Sequence, residues 1–359
     1  MMNIQHNSPP TQAGDTSIGQ SNPENIGAQP RLLYLRQRDD DESPYRRHEM
    51  LESTHPRHYS DFLGEISAID WLPRNPHSLS PNDLWKNLRK ASGQYDGYFA
   101  NASSLLVLAA NVGGLRSVPY YMLYWGNSSQ SRVRNLVIRL NLLLARRILV
   151  NDRDSLDELV VEWGLPQSKV TWLPLPVDTD YYHPCDEMAS DYLLVPGDTK
   201  RDEGFVCEVA KQGKWPIMRS VKQSPTAVCY KAQPTSLMRM LTLKQWAAFS
   251  EIRRNTQRAR AVLLPLEDKP EPLGLTALLE SMACGRPVII SEGRAARDHI
   301  VHGVTGFVMR GPRETWLRQL ADVLKDARLL ETVGAKARRY AVETHSFPAV
   351  RRAWCEVFE

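Results

Sequence analysis

Several things this chain lacks narrow it before anything it contains does. Its five cysteines, Cys185, Cys207, Cys229, Cys284 and Cys355, are scattered, odd in number and form no CxxC pair. That argues against a disulfide framework or a zinc site and fits a reducing compartment. No apolar run approaches the roughly 18 residues of a membrane span. The first 30 residues hold no Lys or Arg and no apolar block of the signal-peptide kind, so the expected location is cytoplasmic, with peripheral placement at the inner membrane face left open. Lone histidines from His48 to His345 fall in no metal-ligand spacing, so no metal is expected. The G-x-S-x-G elbow and the Walker A sequence are both missing, which speaks against a serine hydrolase and a P-loop enzyme. A formal charge of +4 over 359 residues gives no field that implies nucleic acid.

What is present is ordinary in bulk, with 42% hydrophobic and 24% charged residues, and the length suits two domains that each bury a core. Residues 1–30, rich in Asn, Gln, Ser, Pro and Gly, cannot offset their ordering entropy and are expected to be disordered. Strands are expected at Arg31–Leu35, at YDGYFA from Tyr95, at VPYYMLYWG up to Gly126, near Ile148 and at Val170–Leu173. Helices are expected at Trp85–Lys90, in SSLLVLAANVGGL and at Asp154–Gly164. Successive βα units of this kind imply a parallel sheet with both faces covered.

Ser131–Val150 carries five arginines and no acid. Val133, Leu136, Val137, Leu140, Leu143 and Leu144 follow the i, i+3, i+4 rule, so an amphipathic helix is expected there, with this stripe packed on the core and a solvated basic face. Contact of residues 131–147 with anionic lipid is the other reading. A polar break near residue 186 places the domain boundary, giving 31–186, 187–345 and a closing helix over 346–359 that crosses back toward the first domain.

The second half continues the alternation, with strands at Tyr192–Val195 and PIMRSV. Helices are expected at Phe205–Lys211, Leu243–Arg254, Thr315–Lys325, Leu329–Thr344 and Pro348–Phe358. Its centre is residues 261–308, in which an apolar run, a loop rich in acids and prolines, Gly274, a helical segment and a second apolar run follow one another as in a βαβ unit. The helix N-terminus after the loop suits an anion. The inferred architecture is α/β, two doubly wound domains facing each other across a cleft with a ligand at the strands' carboxyl ends.

Three segments carry a family likeness: VTWLPLPVDTDYYHP (170–184), EPLGLTALLESMACGRPVIIS (271–291) and HIVHGVTGFV (299–308). In order and spacing they resemble the interdomain and donor-site motifs of the retaining family 4 glycosyltransferases. The resemblance implies the GT-B fold, two Rossmann-like domains, and retaining transfer from a nucleoside-diphosphate sugar with no metal and no further cofactor. The acceptor would be a saccharide or lipid-linked saccharide. It assigns Glu280 to the ribose hydroxyls, where a carboxylate suits a vicinal diol. Gly274, Leu275 and Thr276 would approach the diphosphate and sugar, and Glu271 would contact the donor sugar.

This chain departs from the family at four places. Glu271 and Glu280 are one residue further apart than the family's pair, so either the loop bulges by a residue or Glu267 or Asp268 takes the role; an ordinary solvated loop acid is the plain alternative for Glu271. After the first strand of the second domain, at Gly197, the family's Arg and Lys are replaced by Asp198 and Glu203. Lys200 and Arg201 would then supply the charge a diphosphate needs, with Arg219 and Lys222 in reserve. Trp125 stands where many members have a histidine near the reacting sugar, either stacking on a sugar or packing. Arg294 and Ala295 replace a glycine pair, and Asp298 stands in place of a glutamate.

Overall fold

In the computed structural model the described residues are 31–35, 68–71, 97–101, 120–124, 131–186, 189–197, 200–212, 214–220, 241–242, 249–267, 269 and 271–358. The expected helices at Trp85–Lys90 and in SSLLVLAANVGGL, and the tail 1–30, lie outside them. The first sheet holds β1 (Arg31–Leu35), β2 (Ala68–Trp71), β3 (Gly97–Asn101), β4 (Tyr120–Tyr124), β5 (Arg147–Val150) and β6 (Val170–Trp172). All its pairings are parallel, in the order β2-β1-β3-β4-β5-β6. β2 lies in a stretch whose proline-broken pattern gave no strand signal. Between β4 and β5 runs α1 (Arg132–Leu144), with the Ser131 hydroxyl accepting from the Arg134 amide.

The orientation of α1 corrects the sequence expectation. Its buried side chains are Val137, Ile138, Asn141 and Leu142. Val133, Leu136, Leu140, Leu143 and Leu144 face outward. The helix is apolar on two faces, so periodicity detects a stripe without telling which one the core takes. The short connection through buried Ala145 into β5 sets the rotation. After β5, α2 (Arg153–Asp157) is capped by Asp152, whose carboxylate accepts from the Ser155 amide at 2.8 Å. The sequence pattern points to Ser155 or Asp154 as the cap, so the observed cap lies two or three residues upstream.

The second sheet comprises β7 (Leu193–Pro196), β8 (Ile217–Ser220), β9 (Leu241–Thr242), β10 (Ala261–Leu264), β11 (Val288–Ser291) and β12 (Phe307–Met309). Its helices are α3 (Glu203–Lys211), α4 (Phe249–Arg258), α5 (Leu275–Ala283), α6 (Arg294–His299), α7 (Trp316–Leu324), α8 (Ala327–His345) and α9 (Phe347–Phe358). The strand order β12-β11-β10-β7-β8-β9 is parallel throughout. Counted within this half it is the doubly wound order 3-2-1-4-5-6, whose switch point falls between β7 and β10. β7, β10 and β11 are buried at every position, as expected of parallel strands covered on both faces. Alternate residues feed two cores. Leu194, Val262, Leu264, Val288 and Ile290 pack with α5 and α8. Leu193, Val195, Ala261, Leu263 and Ile289 pack with α3 and α7. Of the expected helix at Leu243–Arg254, residues 243–248 lie outside the described residues, and from Phe249 it runs on past Arg254 to Arg258.

The segment leaving β6 is tied to the chain's last helices. The Val177 amide donates to the His345 carbonyl at 2.8 Å, and Trp354, fully buried on α9, donates from Nε1 to the Pro174 carbonyl at 3.1 Å. Arg338 Nη1 donates to the carbonyls of Thr179, Tyr182 and Ala283 at 3.1, 2.8 and 2.9 Å. Beside this joint two buried imidazoles, His299 and His345, meet with ring centroids 4.9 Å apart. His345 Nδ1 donates to the Leu175 carbonyl at 2.9 Å, while His299 Nδ1 pairs with the Tyr340 hydroxyl at 3.1 Å.

Burial holds both rings neutral, pushing His299 down to about 3 and His345 down to about 4. Because both values lie below the unfolded value of about 6.5, the unfolded chain binds the extra protons and stability falls as pH drops below that point. Each histidine is expected to remove about 1 kcal/mol between pH 6.5 and pH 5.5. Urea unfolding across that range reads this directly, and His345→Gln should flatten the slope by one proton; an unchanged slope would show that His345 titrates normally in the folded chain.

Candidate functional site: the switch point of the second sheet

The two loops that leave the switch point are laced together. β7 ends at Pro196 and turns at Gly197, with φ +74°, then at Lys200, the one described non-glycine residue with positive φ, at 53°. Arg201 and Leu266 form an antiparallel bridge. The Asp202 amide donates to the Pro265 carbonyl at 2.7 Å, and the Glu267 amide to the Lys200 carbonyl at 3.0 Å. Ser291 closes the other side, its hydroxyl accepting from the Leu266 amide at 2.8 Å and donating to the Leu266 carbonyl at 3.1 Å. Gly197, Lys200 and Arg201 are thereby brought beside the loop that opens α5.

That opening depends on Gly274. Its φ of +73° lies in the left-handed region, and a Cβ there would sit 3.1 Å from Leu266 Cδ1. Gly274 brings no side chain to cap α5, which leaves the first amides of the helix suited to an anion. Leu275 is buried and offers only its backbone, whereas the Thr276 side chain is exposed. Glu271 is half-buried, its carbonyl accepting from the Leu273 amide at 2.7 Å in a tight turn just before Gly274.

Glu280 lies six residues beyond Gly274, about 9 Å along the helix axis at 1.5 Å per residue. The Tyr182 hydroxyl donates to its Oε1 at 3.0 Å, fixing the carboxylate. Tyr182 is itself positioned by the Arg338 bond to its carbonyl and by edge-on contact with Tyr181, centroids 5.1 Å apart. Arg253 lies 4.3 Å over the Tyr181 ring, and burial lifts that phenol to about 12. The tyrosine pair was part of the quoted interdomain segment, but pattern alone did not reveal that it orients Glu280.

The cations fall differently from one another. Lys200 is exposed at the rim. Arg201 is buried and donates through Nε and Nη2 to the Pro196 carbonyl at 3.0 and 2.8 Å. Arg219, at the end of β8, donates to the Val195 carbonyl at 3.0 Å, to the Gly197 carbonyl, and forms an ion pair with Glu203. The glutamate that replaces a family lysine is therefore matched by an arginine on the neighbouring strand. Trp125 follows β4 directly and lies outside the described residues, as do Asp198, Lys222 and Asp268.

Across from this crevice the carboxyl end of β5 meets α6. Arg294 Nη2 pairs with Glu158 at 2.9 Å, and Nη1 reaches Asp152 at 3.8 Å and the Ser155 hydroxyl at 3.0 Å. Glu158 also accepts from the Tyr124 hydroxyl at 2.8 Å. Asp298 accepts from the Arg153 amide at 2.7 Å, and Arg297 pairs with Asp154. Burial raises the pKa of both Asp152 and Asp298. Arg294 and Asp298, noted in the sequence as departures from the family, thus join the two sheets' carboxyl ends. Removing Arg294 with alanine takes the cation from two acids whose side chains are 1% and 11% exposed, leaving them the Ser155 and Tyr124 bonds, at an expected cost of about 3 kcal/mol. Urea denaturation measures this, and unchanged stability would show that the pair contributes nothing net.

Among the described residues, no group of three or more His, Cys, Asp or Glu could hold a metal ion, and no helix is long and apolar enough to cross a membrane. Two parallel sheets joined at their carboxyl ends define the class, and the comparisons agree. The chain has the GT-B fold of two Rossmann-like domains. It superposes on the Anabaena protein Alr3699/HepE in complex with UDP and glucose with a TM-score of 0.64 at 14% identity, over 92% of this chain and 99% of that one. For sucrose-phosphate synthase from Thermosynechococcus elongatus the TM-score is 0.67 at 14% identity, over 92% and 98% of the two chains. For a glycosyltransferase from Rickettsia africae ESF-5 it is 0.66 at 14%, over 93% and 98%. Residues 230–340 match the family model described as Glycosyl transferases group 1. A stretch of 73 residues is 41% identical to D-inositol 3-phosphate glycosyltransferase of Thermobispora bispora, covering 20% of this chain. The chain spans 17% of the length of that curated relative in this match.

Proposed function

We propose that this protein is a glycosyltransferase that moves a sugar from a nucleoside-diphosphate sugar to a saccharide or lipid-linked saccharide, with retention and without a metal ion, in the cytoplasm. The observation that carries the reading is the α5 crevice, where a helix N-terminus entered through Gly274, which has no side chain to cap it, and a carboxylate fixed by Tyr182 lie on one helix. A nucleoside diphosphate would span the two, its ribose diol on Glu280 and its diphosphate on the amides of Leu275 and Thr276. Charge building up on the leaving diphosphate would be met by those amides and by Lys200 at the rim, which is the work a cation does in other folds. Glu271, in the turn before Gly274, would contact the sugar, and Trp125, outside the described residues, is the candidate to stack on it.

A second reading is supported by the cation geometry. Arg201 is engaged with the Pro196 carbonyl and Arg219 with Glu203. A chain with its arginines so placed would bind a nucleotide sugar or a partner enzyme without turnover. Calorimetry with a panel of nucleotide sugars, coupled to release of free nucleoside diphosphate with and without EDTA, separates the two. Turnover with at least one donor, unchanged by EDTA, is expected. Binding without turnover under every acceptor would favour the second reading, and no binding would sink both.

A further inference from the structure

We propose that the outer face of α1 docks the protein on an anionic lipid bilayer. Val133, Leu136, Leu140, Leu143 and Leu144 are 72%, 58%, 36%, 63% and 42% exposed and recur at helical spacing along one side. The opposite side of the same helix supplies its packing, through Val137, Ile138 and Leu142. An apolar stripe this exposed on a helix already seated by its other face is not left over from core formation.

The charges around the stripe select its occupant. Arg132, Arg134 and Arg139 on the helix and Arg146 just past its end are exposed, and the helix carries no acid. Beyond it, Val161 is 77% exposed, and Arg139 lies 5.5 Å over the ring of the partly exposed Trp163. Lys169 adds a further cation at the helix end, donating to the Leu143 carbonyl at 2.6 Å. A second copy of the chain set against this face would bring arginine against arginine. A helical peptide partner needs a groove, whereas the exposed residues here belong to the outer side of one helix. A flat anionic interface accepts the apolar stripe into its acyl boundary and the arginines at its headgroups, which is how interfacial helices bind.

The direction of the helix gives the docking a use. α1 runs antiparallel to the strands it connects, so its Ser131 end lies on the side where the strands' carboxyl ends form the cleft. Docked by this face, the cleft would open near the headgroups, within reach of a lipid-linked acceptor. That last step rests on the glycosyltransferase reading, whereas the docking itself does not.

The test is sedimentation of the full chain with vesicles of pure phosphatidylcholine and of phosphatidylcholine with 30% phosphatidylglycerol. Binding to the anionic vesicles alone, weakened by salt, is expected. The triple variant Arg132→Ser, Arg139→Ser, Arg146→Ser should lose about 100-fold in partitioning, at about fivefold per arginine. Leu136→Ser with Leu140→Ser should lose binding as well, each set of variants keeping the wild-type thermal midpoint and the wild-type nucleotide-diphosphate titration. If a set fails to fold, the single exposed change Arg139→Glu reads the same effect. Equal binding to both vesicle types, no binding to either, or binding that none of the variants weakens would overturn the proposal. So would a dimer in sedimentation velocity that Leu140→Ser dissociates, which would assign the face to a second copy. A nucleotide titration that fails in the wild type while vesicle binding persists would remove the enzymatic reading and leave the docking.

Discussion

Gly334→Ala is expected to destabilise the second domain by about 3 kcal/mol, although alanine is the better helix former by about 1 kcal/mol. The reason is the approach of α8 to α5. A Cβ at Gly334 would fall 2.3 Å from the Gly285 carbonyl oxygen, 3.2 Å from its carbon and 3.3 Å from Pro287 Cδ. These obstacles are backbone and ring, which cannot rotate aside. Gly285 is itself fixed, with φ +69° and a Cβ position 3.1 Å from Pro184 Cγ. Relief would have to come from sliding α8 off α5, and α5 carries both Gly274 and Glu280. Loss of stability should therefore be accompanied by weaker nucleotide binding. Urea unfolding and a nucleoside-diphosphate titration of the same variant measure both. A gain in stability of the size helix propensity alone gives would show that the two helices are not in contact at this point.

Glu280→Ala is expected to weaken nucleoside-diphosphate binding about 100-fold, since two hydrogen bonds from a diol to a carboxylate disappear at about 1.5 kcal/mol each. The fold should tolerate the change, because Glu280 is only half-buried, and the Tyr182 bond is lost with it. Glu280→Gln keeps an oxygen for Tyr182 but removes the charge, and should lose about tenfold. Tyr182→Phe leaves the carboxylate present but unsteadied, and should fall between wild type and alanine. Calorimetric titration of the three variants gives the series. Equal affinity across them would separate Glu280 from the nucleotide.

How much of this could be read from residues alone differs along the chain. β7, β10 and β11 declare themselves as short apolar runs bounded by Gly, Pro or acids, because strands covered on both faces need no polar alternation. β2 and β9 do not, being four and two residues long inside proline-broken or irregular stretches. For α1 the pattern showed a stripe but not its direction, since a helix with two apolar faces has two solutions and the connection to β5 chooses. In the site, Gly274 and Glu280 stood out through their place in a βα turn and a family-like motif. What pattern could not show were the pairings across sequence distance: Tyr182 on Glu280, Ser291 closing on Leu266, Arg219 answering Glu203, and Arg294 reaching Asp152 and Glu158. Each depends on two loops being brought to one end of a sheet, which is a property of topology rather than of any local window.

The central claim is that the nucleotide occupies the α5 crevice of the second sheet. An experimental structure with a nucleoside diphosphate bound tests it most directly. The expected result is a ribose within hydrogen-bond distance of Glu280 and a diphosphate on the amides of Leu275 and Thr276, with Lys200 at the rim. A nucleotide seated away from Glu280, whatever the fold around it, would contradict the account.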